Sequence, residues 1–179
     1  MKYDYYTDGA ATMVKKNGKY LREAGGWAFI KLADNEIIAE QSGGCPLTTN
    51  NEMELYAIYA SVRDFIDASD EGDEIEICSD SGYCINIFTQ WAAGWKRRGW
   101  KKSDGKTIEN LELIKAIWDL IQPINITFKK VKGHSKDKLN QKADKLAVKA
   151  KINSKKTGKT IGYNQKDDRL LGKKSSINN

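Results

Sequence analysis

A chain of 179 residues, 40% of them hydrophobic, suits one core with an appendage and is too apolar for global disorder. No apolar run approaches the roughly 18 residues of a membrane span, the opening MKYDYYTDGA lacks the apolar centre of an export signal, and Cys45, Cys78 and Cys84 form no Cys-x-x-Cys pair. The formal charge of +6 sits entirely in residues 151–179, with eight basic and two acidic side chains, whereas residues 1–150 hold 22 of each sign. A cytoplasmic protein without zinc, disulfides or a membrane partner is expected.

The pattern predicts a strand over residues 2–8 ending at the turn signal Asp8-Gly9, then a polar, lysine-rich loop. Further strands follow at 26–32 and 36–43. Thr48-Thr49-Asn50-Asn51 is a cluster of helix N-caps ahead of a helical stripe of Met53, Leu55, Ile58, Val62 and Phe65. A short strand at 74–78 and a helical segment capped by Asp80-Ser81 lead into a basic, tryptophan-bearing stretch, Trp91 to Lys102. A helix over 108–121 is stopped by Pro123, a last strand runs from Ile124 to Val131, and a final helix covers 137–150.

Three successive strands imply an antiparallel meander, and strands separated by helices imply parallel crossovers. The expected fold is therefore α/β, a mixed five-stranded sheet flanked by helices over residues 1–150. Apolar periodicity fades beyond about Lys151, so residues 151–179 are expected to form a basic, flexible tail.

Five side chains carry candidate chemistry: Asp8, Glu54, Asp80, His134 and Asp144. Each has a structural alternative. Asp8 can shape a turn, Glu54 can complete a capping box with Asn51, and Asp80 can cap a helix. Asp144 has no helical Lys or Arg three or four residues away and lies beside an apolar stripe, where an unpaired carboxylate is costly. The topology can bring all four carboxylates to one rim of the sheet, where ligand sites of open α/β sheets gather. Crowded carboxylates need cations, and hard oxygen ligands select Mg²⁺ or Mn²⁺. Two such ions about 4 Å apart suit phosphodiester displacement. The cationic Trp-bearing stretch beside them suits nucleic-acid docking.

Tyr6-Thr7-Asp8-Gly9, Thr48 through Leu55, Ser79-Asp80-Ser81, Val131-Lys132-Gly133-His134 and the basic Trp91–Lys101 stretch together resemble type 1 ribonuclease H over about residues 2–150. The resemblance implies a ribonuclease H-like fold and endonucleolytic hydrolysis of the RNA strand of RNA–DNA hybrids, leaving 5′-phosphate and 3′-hydroxyl ends. It implies that Asp8, Glu54, Asp80 and Asp144 hold two Mg²⁺ ions and that His134 assists proton transfer or product release. Gly9 would give the RNA strand room, and Asn50 and Asn51 would reach the minor groove. Trp91, Trp95, Lys96, Arg97, Arg98, Trp100, Lys101 and Lys102 would take the DNA strand. A monomer is implied.

Three departures stand out: a longer, lysine-bearing segment from Ala10 to Gly25, an acidic Glu52 close to the metal site, and Gly82 where a longer side chain is common. The competing readings are a retroelement polyprotein domain, a DNA-cutting relative, and a hybrid-binding module without catalysis. The initial Met disfavours the first, Asn50-Asn51 beside Glu54 the second, and four intact carboxylates the third.

Overall fold

The computed structural model describes residues 1–132 and 137–162. Strand β1 (Lys2–Ala11) pairs antiparallel with β4 (Glu23–Ala33), which pairs antiparallel with β5 (Glu36–Thr48). On its other side β1 runs parallel to β6 (Glu74–Ser79), and β6 parallel to β7 (Asn125–Lys130). The sheet order is thus β5-β4-β1-β6-β7, the mixed five-stranded sheet expected.

Alternation along the strands builds two cores. Tyr5, Trp27 and Phe29 face helix α1 (Asn50–Ala68), whose Leu55, Ile58 and Val62 lie against them, with α4 (Leu111–Ile121) behind. Ile30 and Leu32 face the other way, with Tyr6, toward Leu139, Ala143 and Leu146 of α5 (Lys138–Thr157). Because β4 is covered on both faces, it reads as a nearly continuous apolar run. The short helices α2 (Gly82–Asn86) and α3 (Ala92–Arg97) flank a single π-helical turn, Ile87–Trp91.

β5 runs on to Thr48, past its expected end at 43, and two further stretches differ from expectation. β1 continues to Ala11, and the lysine-rich segment after it is a hairpin, β2 (Val14–Lys16) and β3 (Lys19–Leu21). Asn17 and Gly18 turn it with φ of 51° and 76°, the left-handed pair that matches the twist of a tight hairpin. Helix α5 also outruns the expected boundary near residue 150. It ends at Gly158 (φ 67°), and Ile161 then exchanges two 2.9 Å backbone hydrogen bonds with Gly44 at the edge of β5.

The face of α5 that meets the sheet is built of small residues, Ala143, Ala147 and Ser154, all buried. It presses on Gly26, where an added Cβ would strike the carbonyl oxygen of Ala147. Small residues carry little hydrophobic periodicity, so the helix extends further than its apolar pattern. Among the described residues no helix is long and apolar enough to cross a membrane.

A chain ending at Lys151 should melt below one ending at Gly162, since it loses the last turns of α5 and the Gly44–Ile161 pairing. A deficit of about 2 kcal/mol would appear as about 4–8 °C in a thermal melt; equal melting temperatures would mean that this segment adds nothing.

Candidate active site

Parallel pairing sets the first two carboxylates side by side. The register matches Tyr6 with Cys78 and Thr7 with Ser79, so Asp8 and Asp80 come next on neighbouring strands at one rim. Asp80 is not the cap of α2. That role belongs to Ser81, whose hydroxyl accepts from the Cys84 N–H at 3.2 Å.

The third carboxylate arrives through backbone contact. Gly9 faces the first turns of α1 so closely that a Cβ would strike the backbone of Met53 and Glu54. The Gly9 N–H lies near the Glu54 carboxylate and favours its charged form. The N-cap of α1 is Thr49, which accepts from the Glu52 N–H at 3.2 Å, so the capping-box alternative for Glu54 with Asn51 does not apply. Nor does Glu52 add its charge to the cluster. It is buried against Thr48, whose hydroxyl donates at 2.6 Å, and Arg22, at 3.3 Å.

Asp144 enters from α5. The side chain is exposed, contrary to the expectation of a costly carboxylate beside the apolar stripe, and it stands near enough to Asp8 to raise that group's pKa. One turn earlier sits Asn140, which the sequence reading did not select. It is 4% exposed, lines the same cleft, and its side-chain carbonyl oxygen lacks a partner. The available signal was its spacing, four residues before Asp144 on one helix face.

Together these side chains form a cleft of about 310 Å³ lined by Asp8, Asn50, Glu54, Asp80, Asn140 and Asp144, with no basic side chain in its wall among the described residues. Ligand oxygens of Asp8, Glu54 and Asp80 lie within 4.8 Å of one another. Burial, then the charges of Asp80 and Asp144, push the Asp8 carboxyl up to about 8. Burial, then Asp8 and Asp80, hold Glu54 well above the usual carboxylate range. The Glu54 Oε2 is buried without a hydrogen-bond partner. Oxygen donors only, crowded like charges and an orphaned carboxylate oxygen fit hard divalent cations.

The remaining expected residues divide. Asn50 lines the cleft, and its Oδ1 accepts from the Ala11 N–H at 3.2 Å; Asn51 is exposed beside it. Gly9 lines the cleft as well, while the side on which a Cβ would stand is taken up by α1. At Gly82 the space a side chain would fill lies 3.2 Å from the Lys130 ammonium.

Lys96, Arg97, Arg98, Lys101 and Lys102 are exposed on and after α3. Trp91 is partly exposed, Trp100 packs partly against the core, and Trp95 is buried. Trp95 therefore anchors the arm onto the body and contributes only its edge to the groove it lines with Trp91, Arg97 and Arg98. Trp91 stands between Trp95 and Tyr83, at ring-centroid separations of 5.8 and 6.2 Å. His134 lies outside the described residues.

Comparison with known proteins agrees with this arrangement. The RNase H family model matches residues 2–152. The chain belongs to the ribonuclease H family. A Ribonuclease H of Chlorobium phaeobacteroides is 37% identical over 155 residues, covering 86% of this chain and 98% of that protein. One from Chlorobium luteolum is 39% identical over 150 residues, covering 83% and 94%.

Among solved structures, LC9-RNase H1, described as a type 1 RNase H with the type 2 active-site motif, superposes with a TM-score of 0.70 at 22% identity, over 98% of this chain and 83% of that one. LC11-RNase H1, solved with an RNA/DNA hybrid, gives 0.60 at 19% identity, over 85% and 98%. These two likenesses concern the fold. The ribonuclease H family consists of metal-dependent endoribonucleases, which accords with the acidic cleft.

The folded protein holds the Asp8 proton more tightly than the unfolded chain does. In chelator this site therefore subtracts stability as pH rises from the ordinary carboxyl value of 3.8 to about 8. Asp8→Asn removes the charge, so it should melt higher than the parent at pH 8, by about 2–8 °C for relief of about 1–2 kcal/mol. The gain should shrink toward pH 4, and a gain independent of pH would contradict the crowding. Gly9→Ala drives a methyl into the α1 backbone and should cost about 2–4 kcal/mol in denaturant melts, with loss of cleft function. An unperturbed melt would show that the contact can relax.

Proposed function

We propose that this chain is an endoribonuclease of the cytoplasm that cuts the RNA strand of RNA–DNA hybrids as a monomer, leaving 5′-phosphate and 3′-hydroxyl ends. The observation that carries this reading is the gathering of Asp8, Glu54, Asp80 and Asp144, from four separate elements, into one cleft whose described wall holds no cationic side chain. Such a cleft repels a phosphate unless metal is bound. The four carboxylates would hold two Mg²⁺ ions, with Mn²⁺ as a substitute, supplying Lewis-acid stabilisation of charge on the reacting oxygens.

The chain's own residues then do the rest. Asp8 and Glu54, buried side by side, keep the donor oxygens in place by packing rather than by hydrogen bonds to solvent. Hydrolysis adds a water oxygen to phosphorus and breaks the bond to the 3′ oxygen, which leaves with a proton. His134, whose intrinsic pKa lies near neutrality, is proposed to help move that proton or release the product.

Asn50, on the cleft wall, and Asn51 beside it are proposed to meet the minor groove, where a 2′-hydroxyl marks RNA. Lys96, Arg97, Arg98, Lys101 and Lys102, with Trp91 and Trp100, are proposed to hold the DNA strand. The basic residues beyond Gly162 add salt-sensitive affinity by counterion release.

Strand-labelled RNA–DNA hybrid, single-stranded RNA, duplex RNA and duplex DNA, each incubated with the protein in Mg²⁺, test the proposal. Only the RNA of the hybrid should be cut. Chelator should abolish cleavage, and Asp8→Asn or Asp144→Asn should lower kcat by about 10³-fold or more, the worth of several kcal/mol of charge stabilisation. Hybrid binding without cleavage in either cation would replace the nuclease reading with a binding one.

A further inference from the structure

The hairpin between β1 and β4 carries charge that the carboxylate cleft does not use. Residues 12–22 contain Lys15, Lys16, Lys19 and Arg22 and no acidic side chain. The strand register sets Lys16 directly opposite Lys19 at the tip. Like charges in that position destabilise a strand pair, and among the described residues no acidic side chain forms an ion pair with either lysine. Met13 and Leu21 at its base are 59% and 42% exposed. A short two-stranded ribbon carrying such a repulsion gains nothing from its own fold.

The hairpin is nevertheless held firmly at its root. Ala10 and Ala11, which lead into it, line the acidic cleft. The Thr12 N–H donates to the Ala24 carbonyl at 3.2 Å, and the Ala11 N–H to Asn50. On the returning side, Arg22 reaches the buried Glu52 in the first turn of α1, the helix that carries Glu54. This contact gives the unusual acid at position 52 its role: it fixes the root of the hairpin to the helix that positions a catalytic carboxylate. Each three-residue strand spans about 10 Å, so the tip has that reach from its root beside the cleft.

We propose that the Val14–Leu21 hairpin is a second cationic arm that grips phosphates of the RNA strand beside the position of cleavage, Lys16 and Lys19 taking the backbone charge and Met13 and Leu21 lying along the sugars. The proposal rests on the ribonuclease reading for the identity of the strand. The choice of strand follows from the root: the hairpin grows from the wall that receives the phosphate to be cut, whereas the Trp91–Lys102 arm follows β6 and Asp80. A polyanion on the tip turns the Lys16–Lys19 repulsion into a shared attraction.

Lys16→Gln/Lys19→Gln and Lys16→Glu are compared with the parent by hybrid binding in Ca²⁺ at several salt concentrations, by steady-state cleavage in Mg²⁺, and by thermal melts. The double substitution should lower the salt slope of log Kobs by about 2, one for each phosphate that is no longer neutralised. KM should rise with kcat changed far less. Lys16→Glu creates an opposite-charge cross-strand pair, so its melting temperature should hold or rise while binding weakens, a split that a purely structural hairpin would not produce.

Unchanged salt slope and KM would overturn the proposal. Hybrids carrying neutral methylphosphonate linkages assign the strand: the difference between parent and double variant should vanish when the RNA strand is neutralised, and its vanishing only with the DNA strand would refute the assignment. A parent that binds but does not cut would instead refute the ribonuclease reading, and the binding slopes would still decide the hairpin.

Discussion

The bare Cα of Gly9 against the backbone of Met53 and Glu54 is the contact on which the site depends. A strand and a helix ordinarily keep about 10 Å between their axes because side chains stand between them. Here one missing methyl lets the N-terminal turns of α1 settle onto β1, which brings Glu54 beside the end of that strand. Asp8 is the next residue back along the strand. Two carboxyl groups are thereby buried together by backbone geometry alone, and Asp80 follows from the parallel register.

That arrangement sets stability against function. Carboxylates buried without counter-charges raise one another's pKa and weaken the fold near neutral pH. The strongly apolar contacts of β4 with both α1 and α5 carry the molecule through this cost. The same opposition recurs on a smaller scale at the Lys16–Lys19 hairpin tip, where the root contacts through Glu52 and Asn50 hold a ribbon that repels itself. In both places like charges are held ready for a partner of the other sign.

What was legible in the sequence was whatever a periodic apolar pattern or a charged motif expresses. The apolar run of β4, the helical stripe after Thr49, the motifs around Asp8, Glu54 and Asp80, Val131–His134 and the basic Trp91–Lys101 stretch all led to the right fold and family. The misses share a physical cause, which is that close approach is made by small or polar residues that hydrophobic patterning does not register. Ser154 carried the buried face of α5 past its apolar stripe, and Asn140 entered the cleft without disturbing any period. The lysines of the hairpin hid its strand character, although Asn17-Gly18 was a turn signal in plain view. Which arm tryptophan faces inward, Trp95 rather than Trp91, depends on the rotation of α3, and no count of residue types contains that.

The four carboxylates come from β1, α1, the end of β6 and α5, elements spread across nearly the whole described chain. Their mutual repulsion therefore exists only when every one of these elements is docked. An unfolding transition state in which any one of them has come away no longer carries it, and no longer offers a complete cation site either. Divalent ions that bind the assembled cleft accordingly act on the lifetime of the native state: they slow the rate of unfolding and leave the rate of folding nearly unchanged. Cation supply then sets how long the molecule survives proteolysis and heat, separately from whether it turns over substrate.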